Sequence, residues 1–305
     1  FWQVIVSDGE AEPVYGPIWR FKTVDFPDFR LRWARKVDGK FQIFASDDDG
    51  NEIQLTHGNA SCWRPKISPD RSQIAFISNE DIDPHIYIMD ADGGNISKVT
   101  TVPISGINPL ELDFAWSPDG NKILYMNNDR LFTIHKDGTG LTQIATAPTG
   151  SFFASADWTE QGNQIIVRTS GSNAYDSEIY LLDSNGDMTK LIENQDGKTG
   201  NPVFSLDGTK ILYTHDMAYF QNIEGRQLDS RILMMDLTTG SVTDLSIHKP
   251  AGTNDIDPRF TPNGAQVIFT NTDNDGISVR NIYRVNLDGE QRNLIIENAE
   301  MVDWR

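Results

Sequence analysis

The 305-residue sequence is poor in several features that define common protein classes. Its single cysteine, Cys62, excludes an internal disulfide and a paired-cysteine zinc site. No apolar run approaches the roughly 18 residues that a membrane-spanning helix needs. Basic residues are also scarce, because 26 lysines and arginines stand against 44 aspartates and glutamates, a net charge of −18. That charge repels a phosphate backbone, so the sequence predicts no nucleic-acid partner and no membrane span.

Motifs that indicate common enzyme classes are missing as well. No Gly-x-Ser-x-Gly sequence and no α/β-hydrolase segment occur in the chain, which argues against a complete serine peptidase. No glycine-rich phosphate loop opens a helix. The histidines never pair at metal-ligand spacing on one strand or helix; they are His57, His85, His135, His215 and His248. The sequence therefore predicts no cofactor and no metal ion.

The main positive feature is a repeat. A hydrophobic or aromatic residue, called here the anchor, precedes a tight turn and then a β-branched strand. The five copies are Ile67-Ser68-Pro69-Asp70, Trp116-Ser117-Pro118-Asp119-Gly120, Trp158-Thr159-Glu160-Gln161-Gly162, Phe204-Ser205-Leu206-Asp207-Gly208 and Phe260-Thr261-Pro262-Asn263-Gly264. Trp304 and Arg305 begin a sixth copy. The anchor spacing runs from 42 residues (Trp116 to Trp158) to 56 (Phe204 to Phe260). Such a period, with short strands, is typical of propeller blades.

Residues 63–100 contain one complete repeat, which the pattern predicts as four antiparallel strands. The predicted strands cover residues 63–68, 73–78, 85–90 and 96–100. In the first turn, Pro69 presets φ and Asp70 accepts a hydrogen bond from a nearby backbone N–H. The Asp-Gly pair at residues 92–93 suits a hairpin before the last strand. Equivalent strands recur in the same order in the other copies.

The two ends of the chain each hold part of one blade. Residues 30–57 contain a second, a third and a fourth strand without a first, and residues 298–304 form a first strand with nothing after it. We expect these parts to pair, because closure leaves no free sheet edge along the circle. The predicted fold is all-β: a six-bladed β-propeller closed by pairing of the C-terminal strand with the N-terminal blade, plus a short N-terminal β-hairpin.

These turns resemble the Ser-Pro-Asp-Gly turns of the TolB-type propellers, a family of periplasmic six-bladed propellers. Residues 117–120 match that turn in full, residues 68–70 and 205–208 match in part, and residues 159–162 depart most. The resemblance covers residues 29–305 and implies a propeller domain over that range. The family includes partner-binding modules, propeller halves of prolyl-oligopeptidase-like peptidases and polysaccharide-lyase propellers, so the fold alone does not select a function.

Residues 1–23 follow a different pattern. Residues 1–9 alternate like a half-buried strand, and residues 16–23 form a second such run. The pair resembles the last two strands of a fibronectin-type-III or related immunoglobulin-like domain. We expect residues 1–23 to be a remnant of that domain, followed by a linker at 24–28; Trp2, Trp19 and Phe21 could instead hold an intact hairpin to the propeller. A start at Phe1 without a signal peptide favours a truncated, exported multi-domain protein.

Candidate binding residues lie on the face that carries the blade-to-blade connections and the loops between second and third strands. The longest loop, 215–231, contains Tyr219 and ends at Arg231. Trp63 and Phe153 offer flat rings for a sugar or peptide, or else wedge between blades. Four polar residues precede their anchors by three positions and are expected to form a ring at the channel mouth, or merely to line a solvated channel: Arg64, Asp113, Asn201 and Asp257.

Two acidic stretches, residues 47–50 and 273–276, resemble fragments of calcium loops. The first falls where other blades have an Asp-Gly hairpin, so we interpret it as a turn. The second lies in a loop on the loop-rich face and fits a weak calcium site better.

Three function hypotheses follow. The first is a non-catalytic binding propeller of an exported bacterial protein, in the periplasm or at the cell surface, with a protein or glycan at the loop-rich face. The second is a metal-assisted polysaccharide lyase, which needs two of His57, His215 and His248 to converge within ~5 Å. The third is a docking platform, which predicts an exposed apolar patch and no enclosed pocket. The sequence favours the first and assigns no enzymatic activity.

Overall fold

The computed structural model describes residues 3–16, 28–47, 50–173, 175–193, 197–218 and 227–305, and the regular structure in these ranges is entirely β. Six four-stranded antiparallel sheets form the blades of a propeller, and a two-stranded hairpin precedes them. The predicted all-β, six-bladed architecture is therefore confirmed. The described ranges contain no helix with the length and apolar composition needed to cross a membrane.

Each blade arranges its strands from the inner strand at the axis to the outer strand at the rim. Blade 1 contains β26 (Glu300–Trp304), β3 (Leu31–Val37), β4 (Lys40–Ser46) and β5 (Glu52–Gln54). Blade 2 contains β6 (Cys62–Ile67), β7 (Gln73–Ser78), β8 (His85–Asp90) and β9 (Ser97–Lys98). Blade 3 contains β10 (Ala115–Trp116), β11 (Lys122–Asn127), β12 (Arg130–His135) and β13 (Thr142–Thr146).

The remaining blades repeat this order. Blade 4 contains β14 (Phe152–Trp158), β15 (Ile165–Ser170), β16 (Ser177–Leu182) and β17 (Met188–Ile192). Blade 5 contains β18 (Val203–Phe204), β19 (Lys210–Asp216), β20 (Ser230–Asp236) and β21 (Val242–Asp244). Blade 6 contains β22 (Thr253–Phe260), β23 (Gln266–Asp273), β24 (Asn281–Asn286) and β25 (Asn293–Ile296).

Ring closure occurs where the sequence predicted it. β26, from the C-terminal end, pairs antiparallel with β3, so that Trp304 lies opposite Leu31 and Glu300 lies opposite Ala34. Blade 1 is thus assembled from both ends of the propeller, and β26 covers the edge of β3 that faces the axis.

The first turn of a blade is held by its own side chains. In blade 3 the Ser117 hydroxyl donates to Asp119 (2.5 Å) and accepts from the backbone N–H of Lys122 (2.8 Å). Hydrogen bonds from Ser117 and Asn121 lower the pKa of Asp119 to about 2. Gly120 closes the turn at a φ of +68°, a left-handed conformation that suits glycine. The repeated Ser-Pro-Asp-Gly sequence is therefore explained by turn geometry.

Aromatic and branched side chains fill the spaces between blades. In four blades, paired aromatic rings stack between the second and third strands; the pairs are Trp33–Phe44, Phe76–Tyr87, Tyr125–Phe132 and Phe269–Tyr283. The largest buried cluster runs through blades 1 to 4, and other clusters join the remaining neighbours. The core is therefore a series of interfaces between blades, as in other closed arrays.

Two aspartates also join neighbouring blades through backbone hydrogen bonds. Asp303 of β26 accepts from the backbone N–H of Ile67 in blade 2 at 2.7 Å. Asp157 of β14 accepts from the backbone N–H of Phe204 in blade 5 at 2.8 Å. Each carboxylate precedes the anchor of its own blade and reaches the anchor of the next, so both satisfy an N–H that ladder pairing leaves open.

The N-terminal hairpin is shorter and lies in a different register than predicted. It consists of β1 (Ile5–Val6) and β2 (Val14–Tyr15). The second strand comes before residues 16–23 because Asp8 accepts from the backbone N–H groups of Glu10 and Ala11 and turns the chain early. Residues 17–27, and with them Trp19 and Phe21, lie outside the described residues, as does Trp2.

The interblade carboxylate of Asp303 provides a test of the closure. Substitution Asp303→Ala leaves the Ile67 N–H without its acceptor, and we expect a loss of about 1–3 kcal/mol in the free energy of unfolding. Asp303→Asn keeps an acceptor oxygen and should retain most of the free energy of unfolding that Asp303→Ala loses. Urea unfolding measures both variants. Equal stability of Asp303→Ala and wild type would show that this bond does not support the ring.

Candidate functional site

The residues that immediately precede the six anchors all line one cavity: Lys66, Ala115, Asp157, Val203, Arg259 and Asp303. The predicted polar ring lies two residues earlier in the chain, one level closer to the loop-rich face: Arg64 and Asp257 are on β6 and β22, and Asp113 and Asn201 come just before β10 and β18. Bulges interrupt several inner strands at this level, and Arg64 and Asp257 adopt positive φ angles there (54° and 52°).

The structure brings the predicted ring residues together, but as partners of one another and of their neighbours. Arg64 donates to Asp257 at 2.7 Å and to the backbone oxygen of Leu110 at 3.0 Å. Asp113 lies between Lys66, 3.0 Å away, and Arg259. Burial alone would raise the pKa of Asp113, yet these cations hold it well below its usual range. The ring is therefore an internal ion-pair network that links blades 2, 3 and 6.

A segment between blades 2 and 3 crosses the loop-rich end of this channel. We call residues 106–112 the plug. Its Glu111 carboxylate pairs with Arg168 of blade 4 at 3.4 Å and with Lys198, which precedes blade 5. Asn201, another ring residue, donates to the backbone oxygen of Glu111 at 3.3 Å and accepts from Arg168 at 3.1 Å. The plug is thus fastened to blade 4 and to the segment that precedes blade 5.

The charge of Glu111 depends on these cations. Burial raises the pKa of a carboxylic acid, but Lys198 and Arg168 more than offset that effect and bring the pKa of Glu111 to about 2. The side chain is therefore ionised at neutral pH, and its ion pairs hold the plug closed.

Three of the other predicted binding residues, Trp63, Phe153 and Arg231, lie away from the channel mouth. Trp63 and Phe153 are buried in the largest core cluster, with 4% and 0% exposure, because each ring fills the space between blades. Arg231 lies on β20 and pairs with Asp229 and Asp244, on the side of blade 5. Tyr219 falls in a range outside the described residues. Burial and location thus oppose direct ligand contact by Trp63, Phe153 and Arg231.

The cavity lined by the residues that precede the anchors opens on the opposite face. This cavity, called here the funnel, has a volume of about 550 Å³ and is surrounded by the first turns of the blades. The site expected on the loop-rich face stays a prediction: among the described residues the plug crosses that end, whereas the short first turns leave the other end open. A smaller cavity of about 360 Å³ remains beside the plug, lined by Glu111, Lys198 and several amide side chains.

Apolar side chains form the funnel wall. Five of the six anchors are aromatic and line it, and Trp158, Phe260 and Trp304 are only partly buried. Proline and leucine from the first turns form the outer wall, namely Pro69, Pro118, Leu206 and Pro262. The sequence analysis named the anchors as structural markers only. The residues that precede them could have been found by stepping two positions along each strand, because alternate residues share a face.

Charged groups occupy the floor and the rim of the funnel. Lys66, Arg259 and Asp303 lie at the floor, together with Asp157, whose pKa is raised by burial despite its hydrogen bond from Phe204. The rim carries three arginines, Arg30, Arg71 and Arg305, with 48%, 43% and 32% side-chain exposure.

The sequences proposed as metal sites have other partners. Asn274 donates to the backbone oxygen of Leu228, and Asp275 accepts from the N–H groups of Ile277 and Ser278 in a turn. Residues 48–49 of the first acidic stretch lie outside the described residues. His215 is buried in β19, and His248 contacts Glu290 at 3.0 Å. Within the described residues no group of three or more His, Cys, Asp or Glu could hold a metal.

Comparison with known proteins gives one family. A family model described as TolB beta propeller domain matches residues 29–303. A Protein TolB homolog from Chlorobium chlorochromatii is 27% identical over 181 residues, covering 59% of this chain and 38% of that protein. An uncharacterized peptidase, YuxL from Bacillus subtilis, is 26% identical over 180 residues, covering 55% and 24%. The matched segments thus span less than two fifths of these relatives.

Solved structures agree on the architecture. TolB from Acinetobacter baumannii has a TM-score of 0.70 at 21% identity, covering 90% of this chain and 66% of that one. An oligogalacturonate lyase from Vibrio parahaemolyticus has a TM-score of 0.54 at 11% identity, covering 88% and 72%. Because identity is low, these similarities establish the shared fold and nothing further about function.

The ion pairs of the plug can be tested with Glu111→Gln. The substitution leaves Arg168 buried without its carboxylate partner and should weaken the plug by about 2 kcal/mol. Amide hydrogens of residues 106–112 should then exchange about 30-fold faster. Hydrogen exchange with mass spectrometry measures this, with Glu80→Gln, an exposed change on the same face, as the control. Unchanged protection would show that backbone packing alone holds the plug.

The same pairs predict a pH dependence. The folded pKa of Glu111 is about 2, lower than the ordinary value of 4.5. A depressed acid pKa stabilises the folded state above the ordinary value and loses that contribution as the pH falls towards the folded value. We therefore expect plug protection to be constant from pH 7 to pH 5 and to fall between pH 4.5 and pH 2, with Glu111→Gln insensitive over that interval.

Proposed function

Because the chain belongs to the TolB β-propeller family, we propose that it is a non-catalytic binding module whose funnel receives a segment of another protein. The family match over residues 29–303 supports a binding or structural role in general. The finer assignment, to a protein segment at the funnel, is our own and rests on the difference between the two ends of the channel.

The observation that carries the proposal is this asymmetry. At the loop-rich end, the plug and the ion pairs of Arg64, Asp113 and Glu111 occupy the axis. At the other end, the funnel leaves about 550 Å³ open above the inner strands. Pockets of this size that combine apolar walls with a few polar groups are the usual form of a binding site.

The funnel wall suits a polypeptide segment. Partly exposed aromatic rings at the anchors provide flat apolar surface, and aromatic residues contribute strongly to protein interfaces. Pro69, Pro118 and Leu206 place rigid apolar edges around the opening. A partner could therefore insert a short segment and bury apolar surface without any rearrangement of the blades.

The alternative functions have less support. A lyase would need converging histidines, whereas His215 is buried in a sheet and His248 pairs with Glu290. A docking platform would have an exposed apolar patch and no enclosed pocket, whereas the funnel is a pocket. For a glycan partner at the loop-rich face, none of the described residues that line the smaller cavity there is aromatic.

We also propose a location and a domain organisation. The resemblance to periplasmic TolB-type propellers supports an exported protein that works in a bacterial envelope. Residues 29–305 would form the binding domain, residues 24–28 a linker, and residues 1–23 the remnant of an immunoglobulin-like or fibronectin-type-III domain. The exposed apolar side chains of the hairpin, such as Val6 and Val14 at 63% and 68%, are consistent with a missing neighbour.

Photo-crosslinking can test the funnel. Leu206 at the funnel rim and Leu141, in the turn before β13, are exposed leucines on the same face, at 44% and 37%. We expect benzoylphenylalanine at position 206, and not at position 141, to crosslink a specific protein in cells that produce the chain. The purified partner should bind wild type and Leu141→Arg, and should lose at least tenfold in affinity for Leu206→Arg.

The comparison of position 206 with position 141 tests whether the partner binds at the funnel. Equal crosslinking from positions 141 and 206, or a purified partner that binds Leu206→Arg as well as wild type, would place the interaction elsewhere on the propeller. Thermal unfolding of both arginine variants controls for folding, since both positions are exposed and neither change should lower stability by more than about 0.5 kcal/mol.

A further inference from the structure

We propose that the funnel rim recognises carboxylate groups on an extended acidic peptide, and that Glu160 occupies part of this site in the free protein. The inference rests on the proposed function and names the chemistry of the partner. It is carried by the rim arginines, by the ion pair that Glu160 makes across the funnel, and by the conformation of Arg71.

The rim arginines are only partly used by the protein itself. Arg30 donates to Asp28 through Nε at 3.2 Å, and Arg71 donates to the same residue through one terminal nitrogen at 3.1 Å. Two guanidinium groups thus share one exposed carboxylate. Because each guanidinium has five N–H donors, both have capacity for a second carboxylate. Such a fork of arginines suits a carboxylate in two-point contact better than lysines would.

Glu160 provides an internal example of this recognition. It lies in the first turn of blade 4, and Arg305 at the end of blade 1 donates to it at 2.8 Å. Blades 1 and 4 are opposite one another in a ring of six, so this ion pair spans the mouth of the funnel. Both side chains are partly exposed, at 40% and 32%, and the pair is therefore weak enough to exchange for a ligand carboxylate.

Arg71 occupies a position that the fold would give to glycine. The equivalent residue in the four other complete turns is Gly120, Gly162, Gly208 or Gly264, each with a φ between 68° and 70°. Arg71 adopts a φ of 60° in the same place, a conformation that side chains disfavour. Turn geometry therefore does not explain the arginine. Its pair with Asp28 is exposed on both sides and contributes little to stability, so we assign the arginine to ligand contact at the rim.

The overall charge agrees with short-range recognition. A net charge of −18 repels acidic molecules at a distance, but salt at physiological strength screens such repulsion beyond about 8 Å. A segment with a few carboxylates therefore meets mainly the rim arginines. Apolar walls of proline, leucine and aromatic rings favour a peptide over an acidic oligosaccharide, whose many hydroxyl groups would find few partners there.

A displayed library of random 12-residue peptides tests the proposal. The full chain is the target, and Leu206→Arg serves for counter-selection. We expect enriched peptides to contain aspartate or glutamate next to apolar residues. Analogues with asparagine or glutamine at those positions should lose at least tenfold in affinity by fluorescence anisotropy.

Three variants of the protein then separate recognition from folding. Arg71→Gly should weaken peptide binding about three- to tenfold while the melting temperature stays constant or rises, because glycine suits this turn. Glu160→Gln should strengthen binding about two- to fivefold, because it releases Arg305. Arg130→Ala, an exposed arginine on the loop-rich face, should change neither measurement.

The results distinguish failure of this inference from failure of the proposed function. Peptides that bind the funnel but show no acidic enrichment, or no response to Arg71→Gly and Glu160→Gln, would overturn the acidic specificity and leave the funnel as a binding site. An absence of peptides sensitive to Leu206→Arg would overturn both. Tighter funnel binding of tetragalacturonate than of any selected peptide would overturn the peptide as partner.

Discussion

Pairing between β26 and β3 is the constraint on which the rest of the structure depends. A channel with a defined width exists only when the circle of blades is complete, because each inner strand packs against its neighbours on both sides. The closing strand also places Asp303 against blade 2 and Arg305 against blade 4. One backbone pairing therefore determines the edge of blade 1, a contact between blades and part of the funnel rim.

The polar residues of the channel have opposite roles at its two levels. Near the loop-rich face, Arg64 pairs with Asp257 and donates a hydrogen bond to the plug, and Asp113 pairs with Lys66. These contacts compensate the burial of the charges. One level further along the chain, the side chains border an open cavity. This chain covers its axis with the plug on the loop-rich face. The accessible end is consequently the one with the shortest connections.

The fold was predictable because its signals are local and repeated. Anchor, turn and strand recur in one order, and the missing first strand of blade 1 reappears at the C-terminal end. The site was less accessible to the same reasoning. Residues 106–112 carry no periodic pattern, and only the structure shows that Glu111 pairs with Arg168 of blade 4. Likewise, burial of Trp63 depends on blade packing, which its type does not reveal. The sequence shows that Arg71 stands where the other four turns have glycine. Only the structure shows that this arginine lies at the funnel rim, beside Arg30 and Asp28.

The composite construction of blade 1 has a mechanical consequence. Because Trp304 lies opposite Leu31, a force that separates the two ends of the propeller loads the hydrogen bonds of this strand pair one after another, as in unzipping. Strands that unzip resist less force than strands pulled along their length, because their hydrogen bonds break one at a time and not together. Arg30 and Arg305 belong to the two segments that would separate, and both lie at the funnel rim. A molecule bound to both arginines would hold these two segments together. Binding in the funnel would therefore increase the force needed to separate β26 from β3.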